Sequence, residues 1–164
     1  MRFVPIRNLR RKLKYFSAIA ILCFALLTAT TWIVGGRLVA SANRSVGPPP
    51  ADFPAEAIEI ESRSGSTIAA WHLVVQHSNA TVILLHPNRS DRRAMLTRAR
   101  LLRQHGYSTL LVDLQAHGES VGKQITAGHM ERHDVLAAVD YIQNFDASQR
   151  VAIFGSSLGG AAPA

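Results

Sequence analysis

The sequence predicts an α/β fold with a largely parallel sheet, carried behind one apolar N-terminal helix. Two observations predict the fold class. Apolar runs of strand length alternate with stretches of helical period between residues 81 and 154, which implies right-handed crossovers over a parallel sheet. A hairpin pattern at residues 58–75 precedes them. A third observation sets the first helix apart: 22 consecutive residues, Tyr15 to Gly36, carry no charge.

That segment is dense in Ile, Leu, Ala, Phe and Val, and as a helix it reaches ~33 Å against a hydrocarbon core of ~30 Å. Arg2, Arg7, Arg10, Arg11, Lys12 and Lys14 precede it, so residues 1–14 read as a basic cytoplasmic tail and 15–36 as a transmembrane helix. The chain from Arg37 onward is then extracytoplasmic, on the periplasmic side in a bacterial cell. The rival reading is a cleaved signal peptide, since Ala40-Ser41-Ala42 has the small-x-small pattern of a processing site. The apolar run exceeds the usual signal core, and Arg37 interrupts the approach to the site, which favours an uncleaved anchor.

The formal charge of +7 suggests a nucleic-acid binder only until it is mapped. Eight of the 18 Lys/Arg lie before residue 45 and all 11 Asp/Glu lie after it, so the remainder carries −1. The basicity belongs to the tail, and no nucleic-acid partner is expected. Cys23, the single cysteine, lies inside the apolar segment, which excludes an intramolecular disulfide and a cysteine metal site.

Residues 37–56 read as a linker, with the proline-rich part at 43–55 an extended, semi-rigid spacer. From 57 to 164 the pattern is that of a folded domain. Ile58-Glu59-Ile60 and 67–75 are predicted strands joined by the turn Ser62-Arg63-Ser64-Gly65-Ser66. Residues 81–85 and 109–113 are continuous apolar runs suited to strands buried on both faces. Between them, Leu96, Ala99 and Leu102 mark a helix over 91–105, stopped by Gly106, with its arginines on the solvated face. Val135, Ala138, Val139 and Ile142 mark a second helix over 129–145. Residues 151–154 are the last predicted strand, again suited to burial on both faces, and a helix opens near Leu158.

That last junction carries the chemistry. Gly155-Ser156-Ser157-Leu158-Gly159 places Gly-x-Ser-x-Gly between a strand and a helix, the setting of a nucleophile elbow. Only Ser157 has glycine both two before and two after it, so Ser157, not Ser156, is the expected nucleophile.

Three blocks in order then resemble the α/β-hydrolase superfamily, and more closely its serine hydrolases of the dienelactone-hydrolase and serine-aminopeptidase type. Leu84-Leu85-His86-Pro87-Asn88 looks like the family's His-Gly-x turn. Asp113 through His117-Gly118-Glu119-Ser120 resembles its Asp-x-x-Gly-His-Gly-x-Ser block, and 155–159 its elbow. The resemblance covers roughly residues 57–164 and implies the N-terminal half of the α/β-hydrolase fold. It implies an oxyanion hole formed by the backbone N–H groups of Asn88 and Leu158, and a triad acid and histidine that come after the nucleophile, here past residue 164. Two residues depart from the pattern: Pro87 and Ala116 stand where the family usually has glycine.

The resemblance also assigns His86 and His117 to bracing and Asp113 to pinning its turn, not to catalysis. His129 and His133 have the i, i+4 spacing of a zinc helix, but Glu131 is misplaced for either zinc motif, so they read as a solvated helix start. No metal or cofactor is expected. The expected function is a membrane-anchored hydrolase that cleaves an ester or amide through an acyl-enzyme on Ser157. The alternative is a non-catalytic membrane-anchored fragment or interaction module, because no complete triad is encoded. Substrate identity and oligomeric state are not legible.

Overall fold

The computed structural model describes residues 6–163, with side chains from residue 12. Helix α1 (Ile6–Val39) is 34 residues long and is one unit; the folded domain, from residue 40, is another. Its apolar part, Lys12–Val39, has a mean hydropathy of 2.1 and no buried residue, and is long and apolar enough to cross a membrane. It passes the expected end at Gly36 because no proline stops it there.

The domain begins within the expected linker. Ala42–Asn43 form a short strand, β1, and the chain then runs across the domain to the hairpin of β2 (Glu56–Glu61) and β3 (Thr67–Leu73). Phe53 is only 1% exposed, and the N–H groups of Val46 and Gly47 both donate to Glu119 at 2.9 Å. Residues 43–55 are therefore a docked strap, not a spacer. Proline richness signalled an extended backbone correctly, but the anchoring comes from one aromatic and one distant carboxylate.

Next come β4 (Ala80–Leu85), a short 3₁₀ turn (Arg92–Met95), α2 (Leu96–Gln104) and β5 (Ser108–Val112). The two-residue β6 (His117–Gly118) is next, then α3 (Glu131–Phe145), β7 (Arg150–Gly155) and the short α4 (Leu158–Ala161). The main sheet has the order β2-β3-β5-β4-β7. β4 pairs in parallel with β5 and β7, and β3 pairs antiparallel with β2 and β5. Strand β1 pairs in parallel with β6, Ala42 opposite His117.

Alternate residues of the central strands feed two cores, which is why their sequence reads as unbroken apolar runs. Ile83, Leu85, Leu110 and Val112 pack with Val135, Ala138 and Ile142 of α3. Trp71, Leu84 and Leu111 pack with Met95 and Ala99 on the α2 side, where Phe53 of the strap joins them. Strand β7, suited by its apolar sequence to burial on both faces, is the edge strand among the described residues, and its Ile153 and Phe154 are 41% and 45% exposed.

Candidate active site

Strand order reverses at β4. The chain leaves β4 through α2 to β5 on one side, and returns through α3 to β7 on the other. A crevice outside the carboxyl ends of strands at such a reversal is where open α/β sheets bind ligands. The register sets Leu85 of β4 opposite Gly155 of β7, so the loop from His86 and the turn from Ser156 start side by side. The sequence-predicted residues Asn88, Ser157 and Leu158 all follow these two paired strand ends.

The elbow is built from backbone. Ser157 has φ 54° and ψ −115°, a conformation that costs a non-glycine residue roughly 1–3 kcal/mol. It is exposed, while Leu158 and Gly159 behind it are buried. The turn is tied to β4 by the Ser156 N–H donating to the Leu85 carbonyl at 3.1 Å, and closed by Gly159 N–H to Ser156 O at 3.1 Å. Both motif glycines are demanded by contact: a Cβ on Gly155 would lie 2.0 Å from Gly159 O, and one on Gly159 would lie 2.5 Å from Leu85 O. Strand and helix can approach this closely only without side chains, and the approach pushes Ser157 outward.

The facing loop is a tight turn, with Ser90 N–H donating to Pro87 O at 3.2 Å. Among the described residues, neither the Asn88 nor the Leu158 backbone N–H has an acceptor within the chain. Unengaged backbone donors of this kind are what an oxyanion accepts from.

Under the loop, His86 is fully buried. Its Nε2 accepts the Leu114 N–H at 3.1 Å, so the proton sits on Nδ1, which donates to Pro87 O at 2.8 Å. Burial drives its pKa down to about 4, reinforced by nearby His117, although the Pro87 contact opposes the shift. His117, also lowered by burial, contacts Gln115 O at 2.9 Å and the Asn88 side-chain amide at 3.3 Å. Both histidines hold the loop and neither reaches Ser157 in any hydrogen bond.

Asp113 accepts from the Arg92 N–H at 2.6 Å, from the Glu119 N–H at 3.0 Å and from the Arg92 guanidinium. Burial pushes its carboxyl up, opposed first by the Arg92 charge. It pins the turn. Ala116, in the position of a family glycine, has φ 59°, so the departure is a real left-handed strain and not a neutral exchange.

Three structural residues escaped sequence reasoning. Arg92, expected on a solvated helix face, is 2% exposed; it ion-pairs with Asp113 and Glu119, and its guanidinium carbon lies 4.8 Å from the Trp71 ring centre. A cation in the first turn of a helix opposes the helix dipole, and that local conflict was the available signal. Asp134 is fully buried and accepts from Ser62 Oγ and Ser64 Oγ at 2.6 Å and from Gln115 N–H at 2.8 Å. Glu131 accepts from the N–H groups of Thr126 and Gly128, both at 2.8 Å, which starts α3. His129 consequently falls before α3, and it does not share a helix face with His133.

Residues 76–164 match the serine aminopeptidase S33 family. The YfhR protein of Salmonella typhimurium is 28% identical over 125 residues, 72% of this chain and 41% of that protein. YfhR of Escherichia coli K12 is 26% identical over 126 residues, 73% of this chain and 43% of the relative. Among solved structures, the Pyrococcus furiosus esterase Pf2001 has a TM-score of 0.67 at 30% identity, over 73% of this chain and 50% of the esterase. Est1E from Butyrivibrio proteoclasticus, solved with ferulic acid bound, has a TM-score of 0.58 at 25% identity, over 63% of this chain and 44% of its own. XC6422 of Xanthomonas campestris, a lidless α/β serine hydrolase, has a TM-score of 0.57 at 19% identity over 70% of this chain and 56% of its own, a likeness of fold alone. The fold is that of the α/β hydrolases, and the chain spans about half the length of these relatives or less.

Proposed function

The chain belongs to the serine aminopeptidase S33 family of the α/β-hydrolase superfamily, and from that membership and the elbow geometry we propose that it carries the nucleophile and oxyanion hole of a serine hydrolase. The observation that carries the proposal is Ser157 held exposed at φ 54° between two obligatory glycines.

In this reading Ser157 Oγ attacks the carbonyl carbon of an ester or amide, and its proton passes to a histidine oriented by a carboxylate. In the order that the family resemblance implies, both partners follow Ser157 in the chain. The carbonyl oxygen becomes an oxyanion that accepts from the N–H groups of Asn88 and Leu158, a stabilisation of about 3–4 kcal/mol per donor in comparable sites. Collapse of the tetrahedral intermediate breaks the bond to the alcohol or amine, which leaves with the proton from the histidine. Water, deprotonated by the same base, then attacks the acyl carbon; the bond to Ser157 Oγ breaks, the carboxylic acid leaves, and the base returns its proton to Oγ.

Helix α1 is proposed as an uncleaved anchor that places residues 40 onward outside the cytoplasm. The docked strap supports this over a signal peptide. Cleavage after Ala42 would cut β1, whose Ala42 N–H donates to Ala116 O at 2.7 Å, and would remove the Ala40 carbonyl that accepts from Arg89 Nη1 at 3.1 Å.

The test is activity-based labelling of the full-length protein in membranes. A fluorophosphonate should modify Ser157 in the alkali-washed membrane fraction; Ser157→Ala should abolish labelling and Ser156→Ala should spare it. Labelling that survives Ser157→Ala would remove the nucleophile assignment.

A further inference from the structure

The loop that carries Asn88 contains a strained residue. Pro87 to Ser90 is a four-residue turn whose third residue, Arg89, has φ 58°. That position of a type II turn requires a left-handed residue and is normally glycine or asparagine. A long side chain there is strained, and such strain persists only where the surroundings over-determine it. His86 and His117 grip Pro87 O and the Asn88 amide.

The strap reaches Arg89 directly. Arg44 Nη2 donates to the Arg89 carbonyl at 2.6 Å, and its Nε lies 3.8 Å from Asp91 Oδ2 at the far end of the loop. The backbone of Arg44 is fixed in turn, its N–H donating to Gly118 O at 2.7 Å. The hold is reciprocal, because the Arg89 side chain reaches back to Ala40 O. Asp91 is no passive partner, since its carboxylate caps the 3₁₀ turn through Arg93 N–H at 3.1 Å.

We propose that Arg44 is a positioning residue for the oxyanion hole: it clamps Arg89 in its left-handed conformation and so aims the neighbouring Asn88 N–H. The role rests on Ser157 being the nucleophile. Without Arg44, the strained residue relaxes, the loop rotates about Pro87, and the Asn88 donor leaves the line of the developing oxyanion. Substrate binding, which engages the ground-state carbonyl and the rest of the pocket, is affected less than the chemical step.

The experiment measures kcat and KM for p-nitrophenyl acetate, and the fluorophosphonate acylation rate at Ser157, in the full-length protein. Arg44→Ala should lower kcat and acylation roughly ten- to a hundredfold, a displaced donor costing less than the 10²–10³ of a deleted one, with KM within about threefold. Arg44→Lys, which can still donate to Arg89 O, should recover part of the loss. Asp52→Ala breaks a different strap contact, the exposed pair with Arg100 at 2.9 Å, and should leave kcat nearly unchanged. A kcat for Arg44→Ala within about threefold of wild type, with Ser157 labelled normally, overturns the positioning role alone. An equal loss in Asp52→Ala overturns it too, since the strap then acts only as general support. Absence of label at Ser157 in the wild-type protein overturns the nucleophile, and with it this role.

Discussion

The elbow at 155–159 and the turn at 113–120 come after strands on either side of β4, yet they keep their shapes by opposite means. The elbow uses almost no side-chain bonds. Its form comes from backbone contacts to Leu85 and from two absent Cβ atoms. The turn is held by polar side chains: Asp113 takes three donors, and Ser120 Oγ bonds both Asp113 O at 2.6 Å and Ala69 N–H at 2.8 Å. In the proposed reading the difference has a functional logic: the Ser157 side chain must stay clear of its own turn to meet base and substrate, so its position is enforced sterically. The bracing turn has no such constraint and is tied by its side chains.

Adding a methyl group to the elbow is the strongest way to break this contrast. Gly155→Ala places a Cβ 2.0 Å from the Gly159 carbonyl oxygen, a contact that only backbone movement can relieve. Labelling of Ser157 should be lost by a factor of roughly 10² or more, since small misplacement at a reacting centre already costs that much. The rest of the sheet should survive, because the clash is confined to the junction of β7 and α4. Circular dichroism with the labelling assay checks both halves; near-normal labelling would show that the close approach is dispensable.

The bracing region should fail in the reverse manner, through stability. Arg92→Leu leaves Asp113, which is fully buried, without its cation, and also removes the charge that stacks on Trp71. Breaking one partner of a buried pair costs about 3–5 kcal/mol. Urea unfolding of wild type and variant measures it, and a loss below about 1 kcal/mol would mean the pair merely offsets its own desolvation.

The same contrast explains what was legible in the sequence. Gly155, Ser157 and Gly159 were readable because steric demands select residue types at fixed spacing. The order of strands and helices was readable because burial imposes periods of two and 3.6. Arg92, Asp134 and the strap were not, since each depends on a partner far away in sequence: Glu119 lies 27 residues from Arg92, and Ser62 lies 72 from Asp134. Phe53, an isolated aromatic among prolines, carried no period at all. Ala116 was legible as a departure, but its strain required a dihedral angle.

The smallest predicted effect is a pH dependence that comes from the bracing side and leaves the elbow untouched. His86 folds neutral, with its pKa near 4 against an ordinary 6.5. A group depressed in this way contributes stability that is complete above pH 6.5 and is lost as pH falls toward 4. The full swing is on the order of 3 kcal/mol. His72 and His117, both lowered by burial, push in the same direction. Glu119 continues the trend at lower pH. Burial raises it, but the N–H groups of Gly47 and Val46 and the Arg92 charge hold it down to about 2, so its contribution is lost as pH falls from 4.5. Asp113 and Asp134, raised by burial, work the other way, because each takes up its proton before the unfolded chain does. The His86 contribution spans pH 6.5 to 4, so it should pull Tm down across that range. His86→Gln keeps an acceptor for the Leu114 N–H without a titrating ring, and should flatten that slope while costing little at pH 7.5. Thermal melts of both proteins across this range provide the check, and an unchanged slope in His86→Gln would move the pH dependence to another group.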